Sequence, residues 1–263
     1  MQNSKHNNIK IICIIPAAGK STRFNKGNKL HAIIKDNKDV LGKTISNIKS
    51  VKLIDKIYIG LNVEDIKKAH EGKFLLDAIG FYDKEEVLSN RINFYEGGDS
   101  RQETVFNGLN YLKKLKINDI DDVWVIIHDA ARPTIFNYDI LGFINSALKL
   151  NKSCIMAIPI SDTIKKVDKY KNIVKTVSRN EMWLAQTPQM FKFNILFDSL
   201  KYCIDNNIHI TDESQALEIL NHDCAIITGR PYNIKITEDI DLIHARCLAD
   251  INCNLLEDEE SDD

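Results

Sequence analysis

Several signatures of common protein classes are missing from this 263-residue chain. No stretch reaches the roughly 18 consecutive apolar residues that a helical membrane span needs. The longest early run, Ile11 to Ala18, is far shorter, so no membrane association is expected. The six cysteines, at 13, 154, 203, 224, 247 and 253, include no C-x-x-C pair. That spacing argues against a zinc site and against a disulfide framework, and for reduced thiols in a reducing compartment. Neither sign of charge is in excess: Lys+Arg 35 against Asp+Glu 37 gives a formal net charge of -2. A dedicated nucleic-acid binder usually carries a basic surplus, so no nucleic-acid partner is expected, although a local basic pocket for a small phosphate is compatible. The leader MQNSKHNNIK has no apolar h-region and is short for a transit peptide, which points to a cytoplasmic location. With 5 prolines and 11 glycines there is no linker rich in either, and no internal repeat is visible. One domain over residues 1–263 follows, ending in an acidic, solvated tail at about 254–263.

Two nucleotide-binding motifs are absent as well. Gly19-Lys20-Ser21-Thr22 looks like the end of a P-loop, but the glycine required five residues earlier is Ile14. A dinucleotide fingerprint fails because Ser21 and Phe24 occupy the later glycine places.

What the chain does contain is ordinary for a globular α/β protein: 44% hydrophobic and 27% charged residues. Apolar runs at Ile11–Ile15, Ile57–Leu61, Ile92–Tyr95, Val123–Ile127 and Cys154–Ile160 read as buried strands. Between them lie helical patterns at Leu41–Val51 and Tyr138–Leu150. The segment SRQETVFNGLNYLKKL places Val105, Leu109, Leu112 and Leu115 on one helical face. This alternation predicts a mostly parallel sheet flanked by helices. The rhythm breaks at TIKKV and IVKTVS, which read as a protruding hairpin arm within about 161–184. Helices at Phe193–Asn207 and Asp212–Leu220, a strand at Cys224–Thr228 and a helix near Glu238–Ile251 complete the pattern.

The strongest local signal is IIPAAGKSTRF, from Ile14 to Phe24. A buried strand runs into small residues followed by cations, where backbone N–H groups can cradle phosphate oxygens. Open α/β sheets bind ligands beyond the carboxyl ends of their strands. HDAARP follows the strand Val123–Ile127, so Asp129 should emerge at the same sheet edge as Gly19. Taken alone, Asp129 reads equally well as a helix cap, and Lys235 in NIKIT as an edge-strand lysine. His128 is expected to turn into the interior by strand alternation. Trp124 and Trp183 read as core or interface packing, and Phe191 to Phe197 as core.

Together, PAAG…R…K, GGD-x-R, HDAARP, DT, RN, TPQ, ITDE and NIKIT, in this order, resemble the 2-C-methyl-D-erythritol 4-phosphate cytidylyltransferases over about residues 9 to 250. The resemblance implies a Rossmann-like nucleotidyltransferase fold with a β-arm for homodimerisation. It implies transfer of CMP from CTP to 2-C-methyl-D-erythritol 4-phosphate, with Mg²⁺ as cofactor, in non-mevalonate isoprenoid precursor synthesis. On the same basis Ala17, Ala18 and Gly19 would hold the CTP phosphates and ribose, and Gly98, Asp99 and Thr104 would recognise the cytidine. Arg23, Lys29 and Lys235 match catalytic cations, while Asp129, Arg132, Thr187 and Thr211 match the substrate pocket. Thr163 and Arg179, on the arm, would reach the other subunit's substrate. The sequence departs from the family pattern at Ser21, at Phe24 and at Asn28-Lys29-Leu30, and the Arg23–Lys29 spacing is one residue short, which makes Lys26 a rival for the Lys29 place. Ribitol 5-phosphate as acceptor, and a non-catalytic nucleotide-binding protein, are the two rival readings; the presence of all three cations argues against the second.

Overall fold

The computed structural model describes residues 9–19, 28–35, 38–70, 91–117 and 120–249. Lys20, Ser21, Arg23, Phe24, Lys26 and the acidic tail lie outside them. A seven-stranded sheet forms the centre, built from β1 (Ile11–Pro16), β4 (Lys56–Leu61), β5 (Ile92–Glu96), β6 (Trp124–Ile127), β7 (Ser153–Pro159), β10 (Trp183–Lys192) and β11 (Cys224–Thr228). Its spatial order is β11-β7-β10-β6-β1-β4-β5. All neighbours pair parallel except β10, which is antiparallel to both β6 and β7.

Continuous apolar strands are what a sheet covered on both faces requires. Ile11, Cys13 and Ile15 of β1, with Trp124 and Ile126 of β6, belong to one core. That core is shared with α1 (Val40–Lys49), α4 (Asn137–Leu150) and α7 (Asp239–Ala249). Ile12, Ile14, Val125 and Ile127 point the other way, onto α3 (Arg101–Lys114), α5 (Phe193–Asp205) and α6 (Glu213–Ile219). Each fully buried aliphatic side chain contributes about 1.5–3 kcal/mol, so both faces stabilise the sheet. The helix α2 (Val63–His70) and a small hairpin, β2 (Ile33–Lys35) with β3 (Lys38–Asp39), were not foreseen.

Two expectations change in detail. Val105, Leu109 and Leu112 are fully buried on α3, but Leu115 lies at the helix C-cap and is 45% exposed. Trp124 is core, as expected, whereas Trp183 is 38% exposed in this single chain. Phe191, Phe193 and Phe197 are buried. The thiols of Cys13, Cys154, Cys203, Cys224 and Cys247 are free, and burial pushes those of Cys13 and Cys224 upward, the latter to about 12.

The arm exists as a hairpin of β8 (Ile164–Val167) and β9 (Ile173–Val177). Between residues 161 and 184 every residue is exposed except Ile164 and Val177, which are half-buried. The hairpin forms a two-stranded sheet of its own, between β7 and β10 in the chain. Between the pairs Ala185↔Ala157 and Gln189↔Ile155, β10 carries three residues against one on β7. The resulting bulge, Gln186-Thr187-Pro188, lies where β10 passes the carboxyl edge of the sheet.

Candidate active site

Four strand ends converge at that edge. The loop after β1 begins with Ala17, whose N–H donates to the Gly60 carbonyl at 2.8 Å and so extends the β1–β4 ladder. Ala17 and Ala18 are buried, and Gly19 is exposed with room for a ligand beside it, so the ligand-accessible backbone begins at Gly19. Beside it runs the loop after β5. A side chain on Gly97 would overlap Ala18, which explains why the position is glycine. Thr104, fully buried on α3, holds this loop from below: its hydroxyl accepts from Gly98 N–H at 3.0 Å and donates to Ser100 O at 2.8 Å. Ser100 caps α3 reciprocally with Glu103, while Asp99 is exposed above it.

The loop after β6 provides the centre. His128 turns into the interior, as strand alternation predicts, and is fully buried. Its Nε2 lies 3.3 Å from the Arg132 carbonyl, which can only accept, so Nε2 carries the hydrogen. Nδ1, 3.2 Å from Thr187 Oγ1, then accepts from that hydroxyl, which itself accepts from Asp129 N–H at 3.0 Å. Burial pushes His128 down to about 4, which keeps it neutral and suits this chain of bonds.

Asp129 faces the opposite way, into a cavity of about 200 Å3 lined in part by Arg101, Arg132, Thr187, Thr211 and Lys235. Its Oδ1 accepts from Arg101 Nε at 2.8 Å and its Oδ2 pairs with Lys235 Nζ at 2.9 Å. Arg132 Nε is 3.5 Å away, in ion-pair range without hydrogen-bond geometry. Burial opposes ionisation of Asp129, but Arg101, Lys235 and Arg132 outweigh it and hold the carboxyl well below the usual range. Burial also lowers Arg132, and Asp129 offsets part of that.

Lys235 is not on a strand; it sits in an irregular segment threaded against HDAARP. Arg132 Nη1 donates to Asn233 O at 2.7 Å, Ile234 N–H to Thr134 Oγ1 at 3.2 Å and Ile236 N–H to Ala131 O at 2.8 Å. Lys29, opening a short 3₁₀ turn over Lys29–His31, donates from Nζ to Ile236 O at 2.8 Å. Lys29 is thereby tied to the residue that follows Lys235, although 206 positions separate the two lysines in the sequence.

The structure thus brings together Ala18, Gly19, Lys29, Gly98, Asp99, Asp129, Arg132, Thr187, Thr211 and Lys235. Thr211 is exposed at the cavity wall, with its hydroxyl 3.1 Å from Gln215 Oε1. Thr163 and Arg179 stand exposed at the base of the arm and do not line this cavity. Arg23 lies outside the described residues. Sequence reasoning cited Glu213 only within ITDE and gave it no role; it is completely buried and grips Arg101 with both oxygens at 2.7 and 2.9 Å. As the first residue of α6 after the N-cap Asp212, it reads in sequence as an ordinary first-turn acid.

No cage for a metal ion is formed by the described residues: no group of three His, Cys, Asp or Glu side chains comes together among them. Both oxygens of Asp129 already serve cations. A divalent ion fits here as one carried on nucleotide phosphate oxygens and water, as Mg²⁺ usually is. Among the described residues no helix is long and apolar enough to cross a membrane.

The model of the 2-C-methyl-D-erythritol 4-phosphate cytidylyltransferase family matches residues 11–250. A protein of that name from Acinetobacter baumannii is 35% identical over 241 residues, covering 91% of this chain and 94% of that protein. Its namesake from Haemophilus influenzae is 33% identical over 232 residues, with 88% and 93% covered. Among solved structures, the 2-C-methyl-D-erythritol 4-phosphate cytidylyltransferase of Francisella tularensis superposes with a TM-score of 0.72 at 28% identity, covering 91% of this chain and 99% of that one. A 4-diphosphocytidyl-2C-methyl-D-erythritol synthase gives 0.73 at 28% identity, with 92% and 100% covered. With its sheet order, edge loops and nearly full-length match, the chain belongs to the 2-C-methyl-D-erythritol 4-phosphate cytidylyltransferase family.

Proposed function

We propose that this protein transfers CMP from CTP to 2-C-methyl-D-erythritol 4-phosphate, releasing pyrophosphate, as a step of non-mevalonate isoprenoid precursor synthesis. The observation that carries the reading is the gathering of Lys235 and Arg132 around Asp129, with Lys29 bonded to the adjoining Ile236 carbonyl, beside two glycine-bearing loops at the carboxyl edge of the sheet. The acceptor is a phosphate monoester with a second pKa near roughly 6, so it arrives ionised and needs no general base. One of its oxygens attacks the α-phosphorus, a new P–O bond forms, and the bond to the bridging oxygen breaks as pyrophosphate leaves. What obstructs the reaction is repulsion between two anions, and positioned cations answer that difficulty.

In this assignment the loops at 17–19 and 97–99 take the nucleotide. Lys29 and Lys235, with Arg23, neutralise charge on the transferring phosphoryl group. Asp129 orients Lys235 and offers an acceptor to the polyol, and Arg132, Thr187 and Thr211 complete that pocket. Mg²⁺, bound with CTP, would supply further charge neutralisation on the triphosphate.

The arm is assigned to homodimerisation, with Thr163 and Arg179 reaching the partner's pocket. Its exposed apolar residues support this: Tyr170 is 73% and Ile173 66% exposed, beside Val167, Val174 and Leu184. Sedimentation at micromolar concentration should give twice the chain mass of 30.0 kDa, and a chain lacking the hairpin should give the single mass.

The test of activity is pyrophosphate release with CTP and Mg²⁺, offering methylerythritol phosphate and ribitol 5-phosphate in parallel. Preference for methylerythritol phosphate is expected. Preference for ribitol 5-phosphate would keep the chemistry and change the acceptor, while CTP binding without turnover of either would overturn the catalytic assignment.

A further inference from the structure

Arg101 and Glu213 take no part in the proposed reaction, yet they form the most complete ion pair in the site. Arg101 is the first residue of α3, directly after the loop at 97–100 that is assigned to the nucleotide. Its guanidinium uses three nitrogens on two carboxylates: Nε to Asp129 at 2.8 Å, and Nη1 and Nη2 to Glu213 at 2.7 and 2.9 Å. Glu213 opens α6, next to Thr211 and Asp212 at the cavity wall. One side chain thus ties together the loop after β5, the loop after β6 and the N-terminus of α6.

Three features set the pair apart from ordinary structural ion pairing. Glu213 is fully buried, and a buried carboxylate is costly unless it is paired with good geometry. Arg101 is not fully enclosed: its side chain is 28% exposed and forms part of the cavity wall. Finally, the fork leaves the two oxygens of Asp129 unequal, since Arg101 engages Oδ1 and leaves Oδ2 facing Lys235 and Arg132. A planar guanidinium pinned by two bonds to Glu213 cannot swing toward Oδ2, which fixes the Asp129 rotamer.

We infer that Arg101 and Glu213 are positioning residues for the alcohol-phosphate half of the site, acting through Asp129 to set where Lys235 stands. The inference rests on the function proposed above. It assigns Glu213 the task of anchoring the guanidinium, so that Asp129 aims Lys235 at the phosphoryl group instead of being drawn wholly onto Arg101. Neither residue needs to touch a substrate.

Steady-state kinetics of the full chain tests this with Arg101→Lys, Glu213→Gln and the double variant Arg101→Met/Glu213→Met, alongside their melting temperatures. Glu213→Gln removes the anion that faces the Arg101 guanidinium, so its kinetics are read together with its melting temperature. The double variant removes one charge of each sign, so net charge is unchanged, and apolar replacement of a buried pair is commonly tolerated. It is expected to fold, with a melting temperature near that of the parent, and to turn over about 100-fold more slowly at the level of kcat/KM for the alcohol phosphate, the loss that about 1 Å of misplacement produces. KM for CTP should move less than about threefold, because the loop at 97–99 keeps its own Thr104 and Glu103 bonds. Arg101→Lys, which keeps the charge and loses the fork, should share the kcat loss. A double variant that melts like the parent and has its kcat and KM values would overturn the inference, as would equal losses for CTP and the alcohol phosphate. A parent protein inactive with both acceptors would instead sink the proposed function.

Discussion

Replacing His128 with glutamine should flatten the pH dependence of stability on the acid side of neutrality. In the folded protein burial pushes the imidazole from 6.5 down to about 4, and the residue is completely enclosed. The folded state therefore binds a proton less readily than the unfolded chain at pH values between those two. Stability is fully present above about pH 6.5, declines as pH falls and has lost this contribution below about pH 4. A shift of that size corresponds to about 3 kcal/mol in all, of which about 2 kcal/mol is lost by about pH 5. Geometry gives the same sign. Protonating Nδ1 would set two donors face to face, because Thr187 Oγ1 donates to it while accepting from Asp129 N–H. Urea unfolding of parent and His128→Gln, followed by circular dichroism from about pH 7.5 to 5, isolates the effect, since all other titrating groups are common to both. The parent should lose about 2 kcal/mol more than the variant across that range, whatever their difference at neutral pH. Parallel curves would mean that His128 titrates normally in the fold, and would refute both its burial as a neutral ring and the tautomer assigned to it.

Lys235→Ala should lower kcat about 100- to 1,000-fold, the usual loss for one positioned charge-stabilising donor, with little change in melting temperature; pyrophosphate release measures it. Thr104→Val keeps the shape of the side chain but leaves the Gly98 N–H without its acceptor, at a cost of about 1–3 kcal/mol. It should raise KM for CTP more than KM for the acceptor, since it is the nucleotide loop that loosens. Gly108→Ala, within α3, would ordinarily stabilise a helix by up to about 1 kcal/mol. Here the added Cβ would lie 2.7 Å from Tyr95 Oη and 3.2 Å from Ile14 Cδ1, so overpacking by about 1–3 kcal/mol should win and calorimetry should show a lower melting temperature.

Most of the sheet was legible because its strands are buried on both faces and read as unbroken apolar runs. The helix α3 was legible from its spacing, and the arm from two short β-prone segments that break the alternation. The strand β10 was not. Its outer residues Trp183 to Ala185 are exposed and those from Gln186 to Phe191 buried, so neither a period of two nor an apolar run appears, and Pro188 argues against a strand. In the site, Asp129 and Gly19 could be placed at one edge because each follows a parallel strand. The environment of Lys235 could not, since its partners lie on the distant loop after β6. Resemblance supplied Lys235 as a site residue, and only the coordinates show what holds it. Glu213 stood in the ITDE motif without a role for the same reason: nothing local distinguishes a first-turn helix acid from one gripping an arginine 112 residues away.

The strand β10 carries exposed residues, Trp183 to Ala185, and buried ones, from Gln186 onward, on a single rod. From Trp183, at the root of the arm, to Thr187, whose hydroxyl steadies Asp129 and His128, there is no intervening loop to absorb a movement. A pull on Trp183 is therefore passed along the strand to Gln186 and Thr187, and a tilt of the hairpin reaches Trp183 through the turn at 178–182. Whatever grips the root of the arm thereby holds a handle on the cavity wall. Conversely, filling the cavity, whose wall includes Ala185, should slow amide exchange back along the strand to Trp183.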